Sequence, residues 1–260
     1  MSTPFDAAIT AIEKARYHNH RLEAHSDVVS DGIVADLRAY CKPFRHDLET
    51  RVVQVWKNVS SPGDRKRKVD LFVGAPGDDG APDIQRARIA VENKSVITAH
   101  RNRTNRFDDL SKVLGAVHAA RPEALLVATV MIGLAERVLN IPDHVHKVYR
   151  EDKEQEFEEK ILPRLSSGDA SLWDDFSWAV SRNRGNEASK TAELFHTLPT
   201  RGAGHTHVEG YDFVLLVPVV IDNVNPPSVP RENPLGINVD VEYAKLIEQM
   251  CLAYTARWHM

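Results

Sequence analysis

The chain has 260 residues, 42% of them hydrophobic and 27% charged, and its net charge is −4. That balance excludes wholesale disorder, collagen, coiled coil and a globally basic nucleic-acid binder. No apolar run approaches the roughly eighteen residues of a membrane span, so no membrane partner is expected, and Met1-Ser2-Thr3-Pro4 lacks the basic and apolar regions of a signal peptide.

Residues 5–17 space Phe5, Ala8, Ile9 and Ile12 as a short amphipathic helix. Residues 18–32 are polar and end in Asp31-Gly32, a turn signal. Helical spacing resumes at Ile33 and runs through Leu37, Tyr40, Cys41, Phe44, Leu48, Val52 and Val55. Pro43 is expected to kink or split this helix, and Asn58 to Gly63 to break it. Lys68 to Gly74 (KVDLFVG) and Arg86 to Val96 (RARIAVENKSV) read as strands of a hairpin joined by a Gly/Pro/Asp loop. Phe107, Leu110, Leu114 and Val117 mark a helix, with Asp108 and Asp109 near its start, Arg121 near its end and Pro122 as its stop. Ala124 to Gly133 is apolar on both faces and reads as a buried central strand.

Residues 135–200 read as mostly helical, with Trp173, Phe176 and Trp178 packed inside and the acidic run Glu151 to Glu159 as a solvated face. Tyr211 to Ile221 is a further strand, whose Pro218 belongs at an edge or bulge. Tyr243, Leu246, Ile247, Met250, Cys251 and Tyr254 form a closing helical stripe. The order predicts a mixed α/β domain with a helical elaboration. It divides into an N-terminal helical segment (1–32), a core carrying the hairpin (33–135), a helical insertion (136–208) and a final strand and helix (209–260). Cys41 and Cys251 stand far apart, which excludes a disulfide framework and a four-cysteine zinc site and points to a reducing cytoplasm.

The hairpin carries the chemistry. Strand alternation puts Glu92 and Lys94 on one face and Asn93 on the other. Asp70 on the partner strand makes a site of two acids and one cation. Two carboxylates suit a hard cation such as Mg²⁺, which keeps several waters. A lysine beside them can orient an attacking water and offset transition-state charge. Basic residues flank the hairpin on both sides: Arg65, Lys66, Arg67 and Lys68 before Asp70, and Arg101, Arg103 and Arg106 after Lys94. Such local clusters in an acidic chain fit a phosphate backbone.

Asp70…Glu92-Asn93-Lys94 resembles the active-site signature of the PD-(D/E)XK nuclease superfamily, the restriction-endonuclease-like fold. The resemblance covers residues 33–135 and implies an α-β-β-β-α-β core. It makes Asp70 and Glu92 metal ligands, aided by the backbone carbonyl of Asn93, with Lys94 serving the water. It also implies one more acid on the helix before the hairpin, which Glu49 matches in order, with Asp47 as rival. Val69 rather than proline precedes Asp70; the literal Pro82-Asp83 lies too near Glu92 to face it across a hairpin, so Asp70 is preferred. The function so implied is a Mg²⁺-dependent endonuclease, with Mn²⁺ able to substitute, that cuts double-stranded DNA as a type II-like restriction or defence enzyme. Cutting both strands with one small domain implies a homodimer. A catalytically inactive nucleic-acid-binding protein and a metal-dependent hydrolase of a small phosphate ester are the alternatives. His144-x-His146, His205-x-His207 and His18-Asn19-His20 lack the surroundings of a metal or HNH site, and no His-Glu-x-x-His or P-loop occurs.

Overall fold

The computed structural model describes residues 3–15, 23–61, 64–97, 100–140, 159, 163–164, 167–202, 205 and 208–259. Helices α1 (Pro4–Ala15), α2 (Glu23–Tyr40) and α3 (Lys42–Glu49) precede a meander of β1 (Gln54–Ser61), β2 (Asp64–Pro76) and β3 (Pro82–Val96). Helix α4 (Arg103–Ala120) then crosses to β4 (Leu125–Gly133). Strands β5 (Arg137–Leu139) and β6 (Val180–Arg182) pair apart from the main sheet, with the short α5 (Leu172–Asp175) between them in sequence. Helix α6 (Glu187–His196), strand β7 (Phe213–Val219) and helix α7 (Val239–Trp258) follow. The main sheet has the order β1-β2-β3-β4-β7, antiparallel across β1, β2 and β3 and parallel across β3, β4 and β7. The fold is mixed α/β, and from α3 to β4 its elements run α-β-β-β-α-β.

Each sheet face buries its own core. Val29, Ile33 and Leu37 of α2 pack with Leu246, Met250 and Tyr254 of α7 against Leu71, Ile89, Val91 and Val127. Leu110, Val113 and Val117 of α4 and Phe195 of α6 pack against Phe72, Ala90, Leu126 and Ala128. All of β4 is buried, as its unbroken apolar run requires between two parallel neighbours. Pro218 lies in β7, an edge strand, where a missing N–H costs no ladder bond on the open side.

Several expectations are corrected. Asp31-Gly32 is not a turn but lies inside α2. A Cβ at Gly32 would collide with Pro4, so this glycine admits α1 against α2. The long helix from Ile33 does split near Pro43, at Cys41, but it ends at Glu49. Arg51 then takes a left-handed φ of 60°, and Val55 belongs to strand β1 rather than to a helix. Trp178 is exposed rather than packed, and Trp173 carries the Arg137 guanidinium 4.7 Å from its ring; Phe176 is buried. Within 135–200 the described residues include the β5–β6 pair as well as helix. Residues 151–158 of the acidic run lie outside those described. Cys41 and Cys251 are not separate thiols: they form a disulfide, with Cα atoms 5.3 Å apart, that ties the α2–α3 junction to α7. The argument from separated cysteines to a reducing compartment thereby loses its premise.

One end of the sheet is fastened by buried charge. Asp212, just before β7, accepts from the guanidinium groups of Arg201 and Arg257 and from the backbone N–H of Leu126 at 2.8 Å. Arg201 also donates to the carbonyls of Pro122 (2.7 Å) and Ala124, and Arg257 to that of Glu123 (3.2 Å), so the turn between α4 and β4 is held by two cations. Removing one charge from such a cluster leaves the others buried and uncompensated. Asp212→Asn should therefore lower unfolding stability by about 3 kcal/mol or more, measured by urea denaturation. A loss below about 1 kcal/mol would mean that the carbonyls alone satisfy the guanidinium groups.

Candidate active site

The β2–β3 ladder pairs Val73 with Ile89, Phe72 with Ala90 and Leu71 with Val91, and there it stops. The next pair in register is Asp70 and Glu92. Their side chains take over the work of the backbone ladder: the Asn93 N–H donates to Asp70 Oδ2 at 2.7 Å, and the Asp70 N–H points to Glu92 Oε2 at 3.4 Å. Asn58 faces Asp70 in the β1–β2 register and has a left-handed φ of 55°, a conformation asparagine tolerates better than most residues. Its amide reaches Asp27 Oδ1 on α2 at 3.3 Å.

The notch so formed collects Asp70, Glu92 and Lys94. Glu92 is 1% exposed. The Lys94 ammonium is ion-paired with Glu92 Oε1. Burial pushes the Glu92 carboxyl up to about 7, and the charge of Asp70 pushes the same way, against the pull of Lys94. Asp70 is also raised, first by burial; Lys94, the Asn93 N–H and the Ser26 hydroxyl draw it back, while Asp27 adds repulsion. One lysine thus serves two acids, with a third acid close by.

The side chain of Asn93 points to the opposite face. It donates to the Ser26 and Ser30 hydroxyls, both at 3.0 Å, and accepts from Thr129 of β4 at 2.7 Å. This network locks the strand carrying Glu92 and Lys94 to the first turns of α2, the helix that also brings Asp27. Ser26, Asp27 and Ser30 were missed in sequence because residues 18–32 read as a polar turn segment. The usable signal was the four-residue spacing of Val29, Ile33 and Leu37, which continues through Gly32.

Other expected residues lie elsewhere. Glu49 is exposed at the end of α3, 3.8 Å from Arg38, and is not joined to Asp70 or Glu92. Asp47 is buried under Arg88 (2.5 Å), the Tyr254 hydroxyl (2.7 Å) and His259 (2.7 Å). Burial alone would raise its carboxyl, but those hydrogen bonds and the Arg88 charge hold it below the usual range. Arg88 reaches that face because the ladder pairs Ile89 with Val73 but Ala87 with Gly74, so Arg88 is the extra residue of a bulge. A Cβ on Gly74 would strike the Arg86 carbonyl there. Asp83, the second residue of β3, is ion-paired with Arg86 at 3.3 Å and is remote in register from Glu92.

Among the basic flanks, Arg103 is ion-paired with Glu187 of α6 at 2.5 Å and Arg106 with Asp109 at 3.5 Å. Lys68 is exposed. The side chains of Lys66, Arg67 and Arg101 lie outside the described residues, as do His18, His20, His144, His146 and His207. His100 is a buried strut between Thr191 (2.8 Å) and the Gly133 carbonyl (2.9 Å).

Among the described residues no cluster of three or more His, Cys, Asp or Glu is arranged to hold a metal ion. The donors in the notch are two carboxylates, an all-oxygen set that fits a hard cation retaining most of its water and does not fit a soft one. No protein-family model, no curated protein and no solved structure matches this chain.

The raised Glu92 carboxyl has a consequence for stability. The folded chain holds this proton more tightly than the unfolded chain. Its contribution is therefore complete below pH 4.5 and is lost as the pH rises through about 7. In EDTA, the wild-type chain should lose stability between about pH 4.5 and pH 8, and Glu92→Gln should flatten that decline. Parallel pH profiles for the two proteins in thermal unfolding would remove Glu92 as the source.

Proposed function

We propose that this chain is a metal-dependent phosphodiester hydrolase that cleaves double-stranded DNA, of the PD-(D/E)XK type. The observation that carries the reading is the convergence of Asp70, Glu92 and Lys94 in the notch where β2 leaves β3. The α-β-β-β-α-β order from α3 to β4 supports it.

Asp70 and Glu92, with the backbone carbonyl of Asn93, are the groups that would hold Mg²⁺ or Mn²⁺. Such an ion, when bound, lowers the pKa of a water and offsets charge on the phosphate. The chain supplies the rest. The Asn93 N–H fixes the orientation of Asp70, and the Asn93 side chain fixes the strand to α2. Lys94 places a positive charge beside Glu92, where an attacking water would be oriented and where charge grows on the phosphoryl oxygens. Asp27, rather than Glu49 or Asp47, is the additional acid that a helix before the hairpin brings near. A two-fold homodimer is the assembly that cuts both strands. Arg103 and Arg106 are paired with acids, which weakens the case for a polymer substrate. That pairing favours a small phosphate diester as the second reading.

Plasmid DNA incubated with the protein and Mg²⁺ should be cut, and EDTA should stop it. Asp70→Asn and Glu92→Gln should each abolish cleavage while DNA binding persists. Cleavage in EDTA, or an Asp70→Asn rate within about threefold of wild type, would sink the assignment. Hydrolysis of bis(p-nitrophenyl) phosphate with intact plasmid would move the function to the second reading.

Lys94→Ala should keep fold and metal affinity and lose on the order of 10²-fold in single-turnover rate. Lys94→Arg should not restore it, because a guanidinium is bulkier and does not release a proton at working pH. A Lys94→Ala rate close to wild type would make the lysine a counter-ion for Glu92 and nothing more.

A further inference from the structure

Helix α7 is apolar on two sides. Its inner stripe, which includes Leu246, Ile247, Met250 and Tyr254, belongs to the core. Its outer face carries Val241, Ala244 and Leu252 at helical spacing, with Val241 47% and Leu252 59% exposed. Across from Leu252 stands Tyr40, the last residue of α2, 62% exposed. These two, with Tyr243 and Ile247, line a groove of about 590 Å³ between α2 and α7.

The groove is pre-formed. The Cys41–Cys251 disulfide joins its two walls, and Cys251 is part of the lining. A ligand would therefore not have to bring the helices together. The charged groups among the described lining residues are Asp36, Asp240 and Glu248, all acids. Asp36 is held in place by the Tyr243 hydroxyl at 2.6 Å. Arg231 approaches Asp240 at 3.9 Å but is not part of the lining.

We propose that the α2–α7 groove docks an amphipathic helix of a partner protein, apolar on one face and flanked by lysine or arginine. The apolar floor takes the apolar stripe, and the acidic rim takes the flanking cations, the helix-in-groove mode of recognition. A second copy of this chain using the same face would set acids against acids. The groove is separate from the notch. Asp27 and Tyr40 lie toward opposite ends of α2, roughly 20 Å apart at 1.5 Å per residue, so a docked helix leaves the notch open.

The test uses three synthetic peptides of about five helical turns: leucine on one face and lysine on the other, the same with glutamate for lysine, and a leucine/lysine peptide with its leucines dispersed. Binding to the full chain is followed by fluorescence anisotropy, with oligomeric state checked by sedimentation. The amphipathic leucine/lysine peptide should bind one to one, and the other two at least about tenfold more weakly. Leu252→Asp and Tyr40→Ser, both at exposed positions, should each weaken it about tenfold or more while thermal unfolding checks that the fold persists. Glu248→Lys should weaken it about fivefold and reduce its salt dependence. Equal binding of that peptide by wild type and Leu252→Asp would overturn the proposal, as would equal binding of the glutamate peptide. A wild-type dimer that Leu252→Asp converts to monomer would place a second copy in the groove and overturn it as well.

Discussion

Keeping the Glu92 carboxylate out of water is a demand that much of the neighbouring structure answers. A buried carboxylate needs either a counter-charge and hydrogen bonds or a proton. Lys94 provides the first, two positions along the same strand face. The Asp70 N–H, set free where the β2–β3 ladder stops, points to the other oxygen. Beside Asp70 on β1, Asn58 takes a left-handed φ of 55°, and its amide is braced by Asp27. The network from Asn93 to Ser26, Ser30 and Thr129 then prevents β3 from closing the gap. Loss of the Asn58–Asp27 contact or of the Asn93 network would change the spacing of the two acids as well as the stability of the sheet.

The chain concentrates its other buried charge away from the notch. Arg201, Asp212 and Arg257 clamp the amino end of β4, and Asp47, Arg88, Tyr254 and His259 clamp α3 to α7. In both clusters acids and guanidinium groups meet through several hydrogen bonds, which is how buried charge is held without seeking solvent or a ligand. The notch differs in kind. There, among the described residues, two adjacent acids share one lysine. The contrast separates a cluster built for rigidity from one left short of positive charge.

The sequence made some of this legible and concealed the rest for identifiable reasons. The run from Ala124 to Gly133 could only be an interior strand, because no amphipathic element is apolar on both sides for that length. Glu92 and Lys94 could be placed on one face by strand alternation alone. Strand β1 was hidden because helix α3 ends without a glycine: Arg51 takes the left-handed position that glycine usually marks. Gly32 misled in the other direction, since its absent Cβ serves helix contact and not a turn. That error concealed Asp27, and Glu49 was offered in its place on chain order only. The pairing of Cys41 with Cys251 is a long-range contact that no local pattern encodes.

The deficit of positive charge in the notch joins its titration to the proposed chemistry. Among the described residues Lys94 is the cation that acts on both acids, and Glu92 meets the remaining repulsion by holding its proton up to about pH 7. A divalent cation would meet the same deficit differently, by stabilising both carboxylates in ionised form. Proton and cation then compete for one site, so metal affinity must rise with pH while Glu92 gives up its proton. The competition also fixes the part Lys94 can play. As long as Glu92 is the anion nearest to it, the ammonium stays oriented into the notch. Were a cation to satisfy that carboxylate, Lys94 would be free to orient an attacking water or to offset charge on a phosphoryl oxygen, as the proposed reaction requires.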